Sequence, residues 1–168
     1  MNRRSIHQGR VGDFGLETVT LPNGVTVTLE ILRHPGAAAV VPLHADGTVT
    51  LIRQHRHAAG GTIWEIPAGK LEPGEDPLAC AARELEEEAG IRAGKLALLS
   101  SILTTPAFTD EVIHIYVATE LVTVATAHEH DEVISVARVA LDEAVAMVQR
   151  GEIRDGKTIC GILLAAMA

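Results

Sequence analysis

The sequence predicts an α/β protein that consists of one domain and begins with a small antiparallel sheet. Short runs rich in β-branched residues, many of them alternating in polarity, are typical of strands and occur on both sides of a central helical segment. Two further segments with apolar helical faces, 141–150 and 157–168, end the chain. With 168 residues, 47% of them apolar, the chain is long enough to bury a sizeable core.

The first 33 residues predict the small sheet. Segments 15–21 and 24–32 are rich in Val and Thr, and Pro22-Asn23-Gly24 between them is a hairpin turn signal. A lone hairpin is only marginally stable in water. We therefore expect this sheet to pack on the rest of the domain or on a second copy of the chain.

A second hairpin is expected from segments 37–43 and 48–54, and the latter continues into a basic cluster. Arg53 and Arg56 at this strand end either form salt bridges with acidic neighbours or contact substrate phosphates through charge-assisted hydrogen bonds. Trp64 is the only tryptophan in a chain with 2% aromatic residues. It either packs in a core or dimer interface, or lines a nucleobase or ribose pocket.

The central helix is predicted between Asp76 and Gly90. Asp76 is a good N-cap, Pro77 suits the first helical position, and Gly90 suits the left-handed position that ends a helix. An apolar stripe recurs at three- and four-residue steps, formed by Leu78, Ala82, Leu85 and Ala89. Strands are expected beyond the helix at 96–103, 111–121 and 133–139, with a loop at 104–110.

An acidic patch on this helix is the first indication of chemistry. Glu84, Glu87 and Glu88 stand at i, i+3 and i+4, so their side chains project from one face. A hard divalent cation with oxygen ligands would offset their repulsion, whereas a plain solvated face is the alternative. Gly69 would let the backbone pass close to such an ion and leave the Ala68 carbonyl as a ligand. Glu86 points to the far side and is expected to be solvated.

Composition narrows the classes of function. A net charge of −8 argues against unaided binding to nucleic acid or to an anionic membrane. No apolar run approaches transmembrane length, and the N-terminus lacks the apolar core of a signal peptide. Cys80 and Cys160 lack metal or redox spacing, so we expect buried free thiols in a soluble, cytoplasmic protein.

The frame from Gly69 to Ile91, GKLEPGEDPLACAARELEEEAGI, resembles the Nudix box and matches it at every defined position over 23 residues. The matching positions are Gly69, Glu75, Arg83-Glu84-Leu85, Glu87-Glu88 and Gly90-Ile91. The resemblance implies a Nudix-type α/β/α sandwich with a mixed sheet. It also implies a single Nudix domain over 1–168, with a catalytic core at 34–168 and an N-terminal β extension at 1–33 that serves dimerisation.

Features outside the box resemble the ADP-ribose pyrophosphatase subfamily. Leu51–Arg56 followed by Trp64–Gly69 is similar to its LVRQYR and WELPAG patterns, and Pro106 lies 15 residues after the box, where that subfamily carries a proline. Segments 129–136 and 151–158 are also similar, the latter to a G-x-I-x-D-x-K-T pattern. The resemblance implies a homodimer that hydrolyses ADP-ribose to AMP and ribose 5-phosphate with Mg²⁺, or with Mn²⁺ as a substitute. Two departures are Ala107 in place of a glycine and His130 in place of an acidic residue.

The resemblance also implies roles for individual residues. The expected metal ligands are Glu84 and Glu88, then Glu87 and the Ala68 carbonyl. The expected supporting residues around them are Gly69, Glu75 and Arg83. Catalysis is expected to depend on Glu88, Arg83 and an acid at 129–132. The expected substrate contacts are Arg53, Arg56, Trp64, Glu65 and Pro106.

The general base and the exact substrate stay open at this point. Glu132 is preferred as the base because it immediately precedes a strand, although it could equally be a further metal ligand. Glu129 is the second choice for the base, and His130 the third. The alternative substrates are another nucleoside diphosphate sugar, a dinucleotide or a nucleoside triphosphate. A sensor that binds ADP-ribose without turnover is a further alternative, although the intact glutamates argue against it.

Overall fold

The computed structural model describes residues 2–126 and 133–168. In chain order the elements are β1 (Asn2–Gln8), β2 (Asp13–Thr20), β3 (Thr26–Arg33), β4 (Ala37–Pro42), β5 (Thr48–Arg56), a 3₁₀ turn (His57–Ala59), β6 (Gly61–Glu65), β7 (Ala68–Lys70), α1 (Pro77–Ala89), β8 (Ile91–Leu103), β9 (Val112–Thr123), β10 (Ile134–Ala140), α2 (Leu141–Gln149) and α3 (Gly156–Met167). None of the described helices is long and apolar enough to span a bilayer.

The N-terminal sheet has the order β1-β2-β3 and is antiparallel throughout. The predicted hairpin is confirmed as β2 and β3, with Gly24 at a φ of 83° in the turn. The end of β3 is attached to the loop before β9, because Leu32 N–H donates to the Phe108 carbonyl and Asp110 N–H donates to the Leu32 carbonyl. An ion pair of 3.0 Å between Arg33 and Asp110 reinforces this attachment.

The central sheet has the order β7-β4-β9-β8 and is mixed, because β4 pairs with β9 in parallel while the other pairs are antiparallel. Strand β4 is buried on both faces, which explains its uninterrupted apolar sequence. Ala38 and Val40 pack in a cluster with α1, whereas Ala39 and Val41 pack in a cluster with α2 and α3. Helices therefore cover both faces, and the predicted α/β/α sandwich is confirmed.

The predicted second hairpin is wrong, although both of its strands exist. Strands β4 and β5 lie in different sheets, and β5 is the middle strand of the third sheet, β10-β5-β6. The turn between them does form, since Gly47 N–H donates to the His44 carbonyl, but the pairing beyond it stops at one bridge between Leu43 and Val49. The edges of β4 are taken by β7 and β9, so the chain crosses between sheets at this turn.

Helix α1 has the ends that the sequence predicts. The Asp76 carboxylate accepts a hydrogen bond from Leu78 N–H, and Gly90 has a left-handed φ of 64°. Leu85 and Cys80 lie on the inner face of this helix and are completely buried. Glu86, expected to be solvated, instead makes two hydrogen bonds of 2.8 and 2.9 Å to the Arg92 guanidinium. Both cysteines are free thiols, as predicted, but only Cys80 is fully buried.

Candidate active site

A cleft of about 1270 Å³ opens where the α1 segment meets the ends of β5, β8 and α3. Its described walls carry both signs of charge. The cationic lining residues are Arg10, Arg56, Lys70, Arg83 and Lys157. The acidic lining residues are Glu72, Glu84, Glu87, Glu88, Glu111 and Asp155. Three of these cations, Arg10, Arg56 and Lys157, come from separate regions outside the predicted box and thus share the cleft with its carboxylates.

Two of the α1 carboxylates are buried at the floor of the cleft. Glu84 is 9% exposed and Glu88 is 2% exposed, and Glu88 accepts a hydrogen bond of 2.9 Å from Ala68 N–H. Gly69 makes room for Glu84, because a Cβ at this position would lie 1.8 Å from Glu84 Oε1. Buried oxygen donors beside a backbone without a side chain suit a hard divalent cation. The oxygen ligands at this position are therefore of the chemical type that such an ion prefers.

Arg83 is the cation that organises the carboxylates of α1. Its guanidinium donates to Glu75 at 2.9 and 3.0 Å, to Glu84 at 2.6 Å and to Glu87 at 3.1 Å. The hydrogen bonds from Arg83 to Glu75 are the main reason that the pKa of Glu75 is lowered to about 2. Arg83 Nη1 bridges Glu84 and Glu87. Within residues 2–126 and 133–168, no group of three His, Cys, Asp or Glu side chains has the geometry to hold a metal ion.

Glu65, predicted to contact substrate, is 1% exposed and accepts hydrogen bonds from two cations. Arg56 donates to it through Nε at 2.7 Å and Nη2 at 2.9 Å, and Lys157 Nζ donates at 2.5 Å. Although burial opposes its ionisation, the hydrogen bonds from Arg56 and the charge of Lys157 lower the pKa of Glu65. The hydrogen bonds to Glu65, together with the charges of Glu65, Glu88 and Asp155, raise the pKa of Arg56.

The other end of this network is the N-terminus of α3. Asp155 caps the helix by accepting from Thr158 N–H at 3.0 Å, and it also accepts from Lys157 Nζ at 3.0 Å. The Thr158 hydroxyl donates to Asp155 and accepts from Ile66 N–H at 2.9 Å. The sequence did not single out Lys157 or Asp155 as site residues. The signal that could have done so is the G-x-I-x-D-x-K-T segment.

Three predicted substrate contacts lie outside the cleft lining of their own chain. Arg53 is exposed, and its guanidinium stacks 5.2 Å from the centre of the Trp64 ring. Trp64 is half-buried and packs against the core cluster. Pro106 is exposed in the loop before β9, next to the lining residues Thr104 and Thr105.

The three predicted base residues, Glu129, His130 and Glu132, fall outside the described residues. Their assignment therefore stays a prediction from the sequence. Arg10 and Lys70 line the cleft although the sequence did not point to them. Lys70 Nζ donates to the Arg10 carbonyl at 2.5 Å, which ties the turn between β1 and β2 to β7.

Comparison with known proteins identifies the family. Residues 32–160 match the family model described as the NUDIX domain, and the chain belongs to this family. It is 41% identical to an ADP-ribose pyrophosphatase of Bacillus subtilis (strain 168), over 95% of this chain and 88% of that protein. It is 42% identical to a methanol dehydrogenase activator of Bacillus methanolicus, over 94% of this chain and 86% of that protein.

A solved structure supports the fold independently. The crystal structure of an ADP compounds hydrolase superposes with a TM-score of 0.85 over 99% of this chain and 91% of that one. The two sequences are 21% identical, so the likeness is one of fold.

Proposed function

We propose that this chain is a Mg²⁺-dependent pyrophosphohydrolase that cleaves ADP-ribose to AMP and ribose 5-phosphate. The observation that carries the proposal is the cleft that is lined both by buried α1 carboxylates and by the cations Arg56 and Lys157. A diphosphate needs cationic groups along its oxygens and a metal to neutralise charge at the reacting phosphorus. The name of the Bacillus subtilis relative supports ADP-ribose as the substrate.

The proposed ion ligands are Glu84, Glu88, Glu87 and the Ala68 carbonyl, all of which line the cleft. Mg²⁺ prefers hard oxygen ligands of this kind, and Mn²⁺ is the expected substitute. When bound, the ion supplies charge neutralisation on the phosphate oxygens. Arg83 and Glu75 orient the carboxylates, a role that their hydrogen bonds of 2.6 to 3.1 Å support.

Arg56 is the proposed contact for the substrate phosphates. Its side chain lines the cleft and is 41% exposed, while Glu65 fixes its orientation from behind. Guanidinium donors suit phosphate oxygens because they form charge-assisted hydrogen bonds in a fixed fork. Arg53, Trp64 and Pro106 are proposed to contact the nucleoside or ribose ends of the substrate.

The general base is proposed to be Glu132, with Glu129 and then His130 as the alternatives. Each is tested by its own substitution, Glu132→Gln, Glu129→Gln or His130→Gln. The variant that removes the base is expected to lose kcat and to lose the limb of the pH–rate profile that reports the ionisation of the base.

We also propose a homodimer in which the N-terminal extension 1–33 packs between subunits, while 34–168 forms the catalytic core. Several large apolar side chains of the extension are exposed, which supports its burial in a subunit interface. They are Ile6, Val11, Leu21, Val25 and Leu29. The start of the family match at residue 32 supports the boundary. Two free thiols support a reducing, cytoplasmic location. Light scattering on the full chain would give twice the monomer mass of 17.8 kDa.

The decisive experiment measures AMP and ribose 5-phosphate released from ADP-ribose by the wild type and by Glu88→Gln. The variant keeps the size of the side chain but removes a buried charge, so kcat is expected to fall on the order of 10²-fold or more. The matched control is Glu86→Gln, on the same helix but paired with Arg92, which should retain activity because exposed ion pairs contribute little. Addition of EDTA should abolish turnover, and Mg²⁺ should restore it.

Three outcomes would contradict the proposal. Equal hydrolysis by the wild type and Glu88→Gln would show that Glu88 of α1 is not required for catalysis. Preferential hydrolysis of another nucleoside diphosphate sugar, a dinucleotide or a nucleoside triphosphate in a parallel panel would replace ADP-ribose as the substrate. Binding of ADP-ribose without turnover would instead identify a sensor.

A further inference from the structure

A pair of cations on one wall of the cleft is held together by a single buried carboxylate. Arg56 ends β5 and Lys157 lies in the first turn of α3, about 100 residues later in the chain. Glu65 accepts hydrogen bonds from both, with Oε1 bonded to Arg56 and Oε2 shared by Arg56 and Lys157. Because Glu65 is 1% exposed, both cations are anchored from beneath.

Each of the two cations keeps a donor that its bonds to Glu65 and Asp155 do not use. Within the described part of the chain, the side-chain bonds of Arg56 use Nε and Nη2, which leaves Nη1 to donate to a ligand. The Lys157 ammonium has three N–H bonds, and two of them are directed at Glu65 and Asp155. Both residues line the cleft that contains Glu84 and Glu88.

The position of Lys157 differs from that of an ordinary surface lysine. Its side chain is 11% exposed, so its rotamer freedom is already lost before a ligand arrives. Asp155 is occupied in capping α3 through Thr158 N–H and the Thr158 hydroxyl. A preorganised cation of this kind binds an anion at a lower entropic cost than a flexible one does.

We propose that Lys157 is a second substrate-binding cation, which donates to the diphosphate of the substrate beside Arg56, and that Glu65 is the positioning residue that holds both cations. The inference rests on the proposed function, because it names the residues that recognise the diphosphate in the same cleft. Glu65 itself does not contact the substrate. Its charge keeps Arg56 and Lys157 at the wall, where two phosphate groups can be bound at once.

The test compares Lys157→Met with the matched control Lys95→Met, which removes an exposed lysine of β8 outside the cleft lining. Loss of one charge-assisted hydrogen bond is expected to raise KM for ADP-ribose by about 10- to 100-fold, with a smaller change in kcat. The inhibition constant of inorganic pyrophosphate with Mg²⁺ should rise by a similar factor. Lys157→Arg should bring KM and the inhibition constant part of the way back to the wild-type values. Lys95→Met should change neither constant.

A purely structural role for Lys157 predicts a different pattern. It would lower the melting temperature, while folded Lys157→Met would keep the wild-type KM and the wild-type inhibition constant for pyrophosphate. That result would overturn the proposal. Glu65→Gln, which keeps the shape of the side chain without its charge, is the second variant if Lys157→Met does not fold. It should raise both constants as well, and unchanged constants in folded Glu65→Gln would overturn the positioning role.

The hydrolysis of ADP-ribose and the role of Lys157 are tested by separate results. If the wild type hydrolyses ADP-ribose and Lys157→Met matches it in KM and in pyrophosphate inhibition, the function stands and the role of Lys157 is wrong. If the wild type does not hydrolyse ADP-ribose, the proposed function is wrong. Calorimetric binding of Mg²⁺-pyrophosphate to the wild type and to Lys157→Met then still decides whether Lys157 binds a diphosphate.

Discussion

Replacement of Gly69 by Ala is expected to remove most of the activity while leaving the fold intact. An added Cβ would lie 1.8 Å from Glu84 Oε1 and 2.1 Å from its Cδ, whereas real Cβ contacts stay at 3.0 Å or more. The Glu84 oxygen therefore has to retreat by about 1.2 Å, from 1.8 to 3.0 Å. The obstacle is the end of a flexible side chain, and not backbone, so the cost to folding is small.

The displacement is large on the scale of catalysis. Glu84 is hydrogen-bonded to Arg83 at 2.6 Å, so a shifted carboxylate also disturbs the cation that organises Glu75 and Glu87. A misplacement of about 1 Å in an active site can cost on the order of 10²-fold in rate. We therefore expect kcat/KM to fall by about 10²-fold, equivalent to about 2.7 kcal/mol of transition-state stabilisation.

The assay is a double-mutant cycle with Glu84→Ala. Steady-state hydrolysis of ADP-ribose is measured across a Mg²⁺ titration, and thermal melting reports folding. In the Glu84→Ala background the new Cβ meets no carboxylate, so Gly69→Ala should have little further effect. An equal loss of activity in both backgrounds, or full activity in Gly69→Ala alone, would show that Gly69 does not act through Glu84.

Two further predictions concern stability. Leu85→Ala removes a completely buried side chain between α1 and the central sheet, and urea unfolding should show a loss of about 2–5 kcal/mol. The pKa of Glu75 lies at about 2 in the folded chain, below its ordinary value of 4.5, because Arg83 donates to it. Its contribution to stability is therefore complete above pH 4.5 and is lost as the pH falls toward 2. Glu75→Gln should flatten the melting temperature between pH 4.5 and 2, and an unchanged pH slope would contradict this assignment.

The elements that the sequence predicted well are those with local causes. The ends of α1 depend on Asp76 and Gly90, which act within one turn of the helix, and the β2–β3 hairpin depends on a turn that includes Gly24. Each signal lies within a few residues of the structure that it produces. The NUDIX family could also be predicted from the sequence, because its defining positions occupy one continuous segment.

The predictions that failed depend on partners distant in the chain. The turn at 44–47 looks like a hairpin, yet β4 takes β9 as its neighbour and β5 takes β10. Glu86 pairs with Arg92, which lies beyond the end of α1. Spacing along the chain does not reveal which edge of a sheet a strand will occupy, because that choice depends on which faces the helices bury.

The acidic helix, its caps and the family can be predicted from the sequence alone, because they depend on residue types at short spacing. The partners of the surrounding cations become visible only in the folded chain. Glu65 and Lys157 lie 92 positions apart and become partners because the Thr158 hydroxyl, which accepts from Ile66 N–H, joins the start of α3 to the end of β6. Glu65 is 1% exposed beneath these two cations, which supports its proposed role as their anchor.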